Sequence, residues 1–145
     1  MSERRPSENN LPPNLLSGWY GARTVAAGKW VPAVLCALSV HGSLHYQDLS
    51  RIVSANTGGS DWPLKHQKLH DSSLVATLRR LVEDGLVARE EDATDGFAVS
   101  VRYQLTDAGL DLVHAVGALA TWTTRYTDIV ARAQLNRYRR SPPGE

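Results

Sequence analysis

Apolar residues recur along the chain at two spacings, and each spacing predicts an element. Leu74, Leu78 and Leu81 fall at i, i+4 and i+7, which puts one leucine stripe on a helix whose other faces carry Ala76, Thr77, Arg79, Arg80 and Glu83. Gly85 follows as a left-handed stop, and Asp71 or Ser72 stands where a side-chain oxygen would cap the first turn, with no Glu placed to complete a capping box. Upstream, Val34, Leu35, Ala37 and Leu38 fill a helix that Pro32 opens and Gly42 ends. A shorter helix from His45 to Val53 gathers Tyr46, Leu49, Ile52 and Val53 on one face. Before these, Leu15, Leu16, Trp19 and Tyr20 have helical spacing and predict an N-terminal helix that docks on another surface.

After Gly85 the spacing changes to two. Leu86, Val87 and Ala88 begin a strand, Asp95 and Gly96 make a turn, and Phe97, Val99, Val101 and Tyr103 alternate in the return strand of a β-hairpin with one packed face. Thr106 then caps a helix, with Asp107 at its positive end. Leu112, Val116, Leu119, Thr123, Tyr126, Val130 and Ala133 alternate by four and three, which predicts one long helix that pairs with a partner. Between Ser54 and Leu64, paired glycines and the Trp62-Pro63 step read as a long loop. The ends are polar and contain prolines, so the expected organisation is a disordered arm over 1–14, one folded unit over 15–138 and a disordered tail over 139–145.

Length and composition narrow this picture. A chain of 145 residues holds one core and no second independent one. Sixteen Lys and Arg against fifteen Asp and Glu leave a formal net charge of +1, so any basic surface must come from uneven distribution. The distribution is uneven: Arg132, Arg137, Arg139 and Arg140 are basic, while Glu90, Glu91, Asp92 and Asp95 form an acidic cluster. Cys36 is the single cysteine, which excludes an internal disulfide, and its place between Leu35 and Ala37 reads as a buried structural thiol. No run has the pattern of a secretion signal or the length of a membrane span, so the expected location is cytoplasmic with no membrane partner.

His41 with His45, and His66 with His70, have a spacing that aligns two imidazoles on a helix, but neither pair has a third ligand nearby, which reads against a metal site. No phosphate loop, serine elbow or carboxylate pair with a partner base is present, which reads against an enzyme and against a cofactor.

Helix, helix, helix and β-hairpin is the order of a winged helix-turn-helix, mainly α with a small β-hairpin. Three blocks carry a closer likeness: GKW at Gly28, Lys29 and Trp30; LVATLRRLVEDGLVAR from Leu74 to Arg89; and YQLTDAG from Tyr103 to Gly109. With these the chain resembles the HxlR-type bacterial transcriptional regulators of the MarR/PadR-like superfamily, over roughly residues 15 to 126. The resemblance implies a homodimer paired through N- and C-terminal helices on pseudo-palindromic, double-stranded operator DNA, with the third helix in the major groove and the wing along the backbone.

Transferred by position, the residues implied to face DNA are His70, Asp71, Ser72, Ser73, Ala76, Thr77, Arg79 and Arg80, with Arg79 and Arg80 as phosphate or guanine contacts. Lys65, His66 and Lys68 precede the helix where a phosphate would pass, Arg102 stands at the base of the wing, and Tyr46, Gln47 and Arg51 are backbone candidates on the second helix. Trp19, Tyr20, Trp30, Trp122 and Tyr126 belong to the segments expected to build the dimer, where aromatic residues either line a pocket for a small-molecule effector or fill the interface.

Three features depart from the family pattern. The first turn of the third helix holds Asp71, Ser72 and Ser73 where the family has a lysine, the wing carries four acidic residues, and residues 54 to 68 lengthen the turn before the third helix. The family's oxidant sensors place a cysteine ahead of the GKW block, and Trp19 to Ala27 contains none. The acidic wing motivates a second reading, a winged-helix ligand-binding or protein-interaction module with weak or no DNA binding.

Overall fold

The computed structural model describes residues 12–56, 68–94 and 98–140. Among these described residues, six helices and three strands follow in the order α1 (Pro13–Ala26), α2 (Val31–His41), β1 (Ser43–His45), α3 (Tyr46–Asn56), α4 (Asp71–Glu83), β2 (Val87–Thr94), β3 (Ala98–Leu105), α5 (Asp107–Arg125) and α6 (Thr127–Arg140). The leucine stripe of α4 is the centre of the core: Leu74, Leu78 and Leu81 are buried with Val31, Val34, Leu35 and Leu38 of α2, Leu49 and Val53 of α3, and Leu86 and Val87 at the start of the wing. Burial of these side chains selects the helical period, because only one face of each helix meets the other two.

The stop after α4 is a complete Schellman motif. Gly85 has φ +85°, its N–H donates to Val82 O at 3.1 Å, and the N–H of Leu86 donates to Leu81 O at 2.9 Å. Leu86 and Leu81, which this turn brings together, are both buried. The chain leaves the helix directly into β2, so the motif fixes the wing's direction relative to α4.

The start of α4 differs from expectation. Neither Asp71 nor Ser72 caps it: His70 occupies the cap position in extended conformation, and its side chain makes no capping hydrogen bond. The Asp71 carboxylate is held instead by Tyr46, whose hydroxyl donates to Asp71 Oδ1 at 3.2 Å.

The wing is a three-stranded sheet in the order β1-β3-β2, not a simple hairpin. β1 pairs antiparallel with β3 through Leu44 opposite Tyr103, and β2 pairs with β3 with Val87 opposite Leu105 and Glu90 opposite Arg102. His45 joins the edge strand to the wing, its Nδ1 lying 3.1 Å from Val101 O and 3.0 Å from Ser100 Oγ.

Other boundaries also move. The expected loop from Ser54 begins later, because α3 continues through Ser54, Ala55 and Asn56, with the Asn56 amide donating to Ile52 O at 2.7 Å. The rest of that loop, including Trp62, and the turn residues Asp95, Gly96 and Phe97 lie outside the described residues. α1 begins at Pro13 and α6 continues to Arg140, each two residues into the segments expected to be arm and tail.

The expected long C-terminal helix is two helices. Tyr126 has φ −116° and ψ +42°, which breaks the chain between α5 and α6. Three threonine hydroxyls cluster there and bond back to carbonyls of the preceding turn: Thr123 and Thr124 to Ala120 O, and Thr127 to Thr123 O and Thr124 O. Hydroxyls that occupy helix carbonyls bend and interrupt helices. Cys36 is a further correction, since its side chain is exposed and lines a shallow groove with Ala33, Val40, His41, Ile52 and Asn56. A helix turns by about 100° per residue, so Cys36 points away from Val34, which faces the core.

Candidate nucleic-acid interface

On α4 the solvent face is a stripe of Ser72, Ala76, Arg79 and Glu83, all exposed and spaced at i, i+4, i+7 and i+11. Lys68 and His70 are exposed just before its N-terminus. Ser73 and Thr77 lie half-buried on one flank, and the Thr77 hydroxyl is engaged in its own helix, donating to Ser73 O at 2.8 Å. Lys65 and His66 lie outside the described residues.

The two arginines expected to act together are separated. Arg79 is exposed and turns toward the wing, lining a groove of about 340 Å³ with Val75, Val82, Glu83, Arg89 and Tyr103. Arg80 turns the other way, toward the turn between α1 and α2, where its guanidinium lies against Gly28. Its Nε and Nη2 are buried and have no hydrogen-bond partner.

Acidic neighbours engage the wing's cations. Arg102 pairs with Asp92 at 2.5 Å, and Arg89 pairs with Glu91 at 2.8 Å, while Glu90 accepts a bond from the Gln104 amide at 2.8 Å. Hydrogen bonds to Glu91 and Tyr103 push the Arg89 pKa above its ordinary value, so the guanidinium is held charged within its own strand pair. A phosphate would have to compete with these carboxylates for either arginine.

α3 packs at the start of α4. Tyr46 bridges the two helices through Asp71, and burial of its ring, reinforced by the Asp71 carboxylate, raises the hydroxyl's pKa and keeps it a donor. Gln47 is exposed beside it, and Arg51 is exposed but paired with Asp48 at 2.6 Å.

The aromatic residues do not form one cluster. Trp30 is 5% exposed and belongs to the core, whereas Trp19 and Tyr20 on α1 are exposed. The Trp122 and Tyr126 rings lie 5.3 Å apart between centroids, tilted by 39°, at the exposed C-terminal end of α5. Val116 and Leu119 on α5 and Ile129, Leu135 and Tyr138 on α6 are exposed apolar side chains as well. Among the described residues, no group of three or more His, Cys, Asp or Glu could hold a metal, and no single helix is long and apolar enough to cross a membrane.

Two features of the site were not visible as spacing. The Tyr46–Asp71 bridge joins helices that are distant in sequence, and the Gly28–Arg80 contact depends on a positive backbone angle; the glycine of GKW was the only local signal for the second.

With this geometry, residues 60–131 match the family profile of the HxlR-like helix-turn-helix. The chain carries an HxlR-like helix-turn-helix domain. Its fold is shared with solved structures of transcriptional regulators. A MarR-family regulator from Enterococcus faecalis V583 superposes with a TM-score of 0.65 at 23% identity, covering 86% of this chain and 99% of that one. The redox regulator HypR in its reduced form gives 0.61 at 22%, covering 80% and 99%. NadR in complex with 4-hydroxyphenylacetate gives 0.52 at 18%, covering 95% and 93%. Among curated proteins no relative matches by sequence. At these identities the structural likeness establishes the winged helix-turn-helix fold, and the wing and α4 of this HxlR-like chain correspond to its expected parts.

Proposed function

We propose that this protein is a homodimeric transcriptional regulator that binds pseudo-palindromic operator DNA through α4, with its affinity modulated by a small-molecule effector. The observation that carries the reading is the exposed stripe of Ser72, Ala76 and Arg79 on α4, held at a fixed angle to the wing by the Schellman turn at Gly85. Short side chains at Ser72 and Ala76 let the helix approach base edges closely, and Arg79 supplies a guanidinium for phosphate or guanine. Lys68, His70, Lys65 and His66 provide the approach to the backbone. The exposed apolar faces of α1, α5 and α6, among them Trp19 at 63% and Leu119 at 56% exposure, are the surfaces that a second copy would cover. An effector would lie among the aromatic residues of those helices, Trp19, Tyr20, Trp122 and Tyr126.

The test is a gel shift, at several salt concentrations, with a duplex spanning the intergenic DNA beside the protein's own gene and a scrambled duplex of equal length. The regulator reading requires preference for the first duplex. Equal binding to both at low salt only, or no binding, supports the second reading, a ligand-binding or protein-interaction module, which the Arg102–Asp92 and Arg89–Glu91 pairs favour because they neutralise the wing.

A further inference from the structure

Arg80 has an unusual environment for a residue on the flank of a partly exposed helix. A long arginine side chain there normally extends into water, where its charge is solvated without cost. Here Nε and Nη2 are removed from water with no acceptor, which is unfavourable for a guanidinium unless packing holds it in place. The group that packs on it is the backbone of Gly28. Gly28 has φ +132°, and a Cβ added there would lie 2.7 Å from Arg80 Nη2, 3.1 Å from Nη1 and 2.9 Å from Val31 Cγ2. Only glycine permits both the backbone angle and the close approach. Ser73 and Thr77 precede Arg80 on the same half-buried flank, so the contact continues a packed surface and is not part of the solvent stripe.

We propose that Arg80 is a positioning residue for the recognition helix. Its stem and planar head fill the space between α4 and the Gly28 turn, and this spaces α4 from the junction of α1 and α2. The charge itself contacts no DNA. Because the turn joins α1 to the core, the angle at which α4 presents Ser72, Ala76 and Arg79 depends on how α1 is held. The inference rests on the DNA-binding reading for its functional consequence, while its packing consequence stands without that reading.

The two roles open to Arg80 separate in a set of variants: Arg80→Met, Arg80→Ala, Gly28→Ala and Arg79→Ala. Methionine keeps the stem volume and removes the charge. For a positioning residue, Arg80→Met binds the intergenic duplex within about twofold of the parent and keeps its salt dependence, because volume is what matters. Arg80→Ala and Gly28→Ala lose about tenfold against the intergenic duplex, the size of one displaced base contact, but bind the scrambled duplex unchanged and keep the salt slope. A merely structural loss would lower both duplexes together. Arg79→Ala is the comparison that does reduce the slope, by about one phosphate's worth. The proposal is overturned if Arg80→Met lowers the slope as Arg79→Ala does, which makes Arg80 a phosphate contact. Thermal unfolding gives the arm that does not need DNA. Arg80→Met should melt at or above the parent because it removes two buried guanidinium nitrogens that have no hydrogen-bond partner, and Gly28→Ala should melt below it. If the parent binds neither duplex, the DNA-binding reading fails while this melting order still decides the packing claim; an Arg80→Met variant melting well below the parent sinks it.

Discussion

Gly109 offers the sharpest test of how the wing is fastened to the C-terminal helices. It is buried in the first turn of α5, where a Cβ would land on the carbonyl oxygen of Leu86, closer than real non-bonded atoms approach, and 3.2 Å from Leu105 Cδ2. Leu86 O cannot simply move aside, because it accepts the N–H of Thr106 at 3.0 Å, and Thr106 in turn donates its hydroxyl to Gly85 O at 2.6 Å and accepts from Gly109 N at 3.2 Å. In Gly109→Ala, forcing a methyl into this packing costs about 1–3 kcal/mol, and weakening the Thr106–Leu86 hydrogen bond adds about 1 kcal/mol. Alanine's better helix propensity returns up to about 1 kcal/mol, leaving a net loss of about 2 kcal/mol. For a chain of this size that is a fall of roughly 4–8 °C in Tm. Gly117→Ala, in the same helix, is the control: nothing lies within 4 Å of its added Cβ, so it should gain up to about 1 kcal/mol. Denaturant unfolding of both variants followed by circular dichroism measures the pair. If Gly109→Ala is as stable as the parent, the close approach of α5 to the end of α4 is wrong.

Neutralising the wing's own carboxylates in Glu91→Gln with Asp92→Asn should release Arg89 and Arg102, tighten binding to any duplex and steepen its salt dependence by about one to two phosphates' worth in a titration series. Tyr46 holds its proton more tightly when folded than when unfolded, so the stability this contributes is complete below the ordinary tyrosine range and is lost as pH rises through the raised folded value. The parent should therefore lose more unfolding free energy than Tyr46→Phe between about pH 8 and about pH 11; equal losses would remove Tyr46 from the account. Light scattering should give the parent twice its 15.9 kDa chain mass at micromolar concentration, and Leu119→Glu with Trp122→Glu should return it toward the single-chain value.

Elements whose period is set by burial were legible in the residues. The stripes of α2, α3 and α4 all face one core, and Gly85 and Thr106 are local signals with one structural meaning each. What escaped depends on partners distant in the chain or on rotation about a helix. β1 is three residues long, too short to display a period, and exists because Leu44 lies opposite Tyr103. The break at Tyr126 interrupts an apolar repeat that continues on both sides, because the threonine hydroxyls compete for carbonyls without altering which residues are apolar. Cys36 sits between two buried residues in sequence yet faces outward, as a position two steps from Val34 on a helix must.

The same rotation governs the proposed reading face. Adjacent arginines on a helix diverge by about 100°, so Arg79 and Arg80 cannot serve one groove equally, and the flank that takes Arg80 leaves Arg79 as the cation of the exposed stripe. Glu83 lies on that stripe, and Asp71, in the first turn, is bonded to Tyr46. Carboxylates thus offset the one guanidinium, and the wing's two arginines are paired already. Under the proposed function, counterion release from α4 and the wing would accordingly be small, and affinity would come from Lys68 and the basic residues before it, and from the doubling of contacts that a second copy would bring to a two-fold site. On that proposal, weak electrostatics at α4 favours discrimination over retention on arbitrary DNA, because the short side chains of Ser72 and Ala76 contribute only where the base edges fit them.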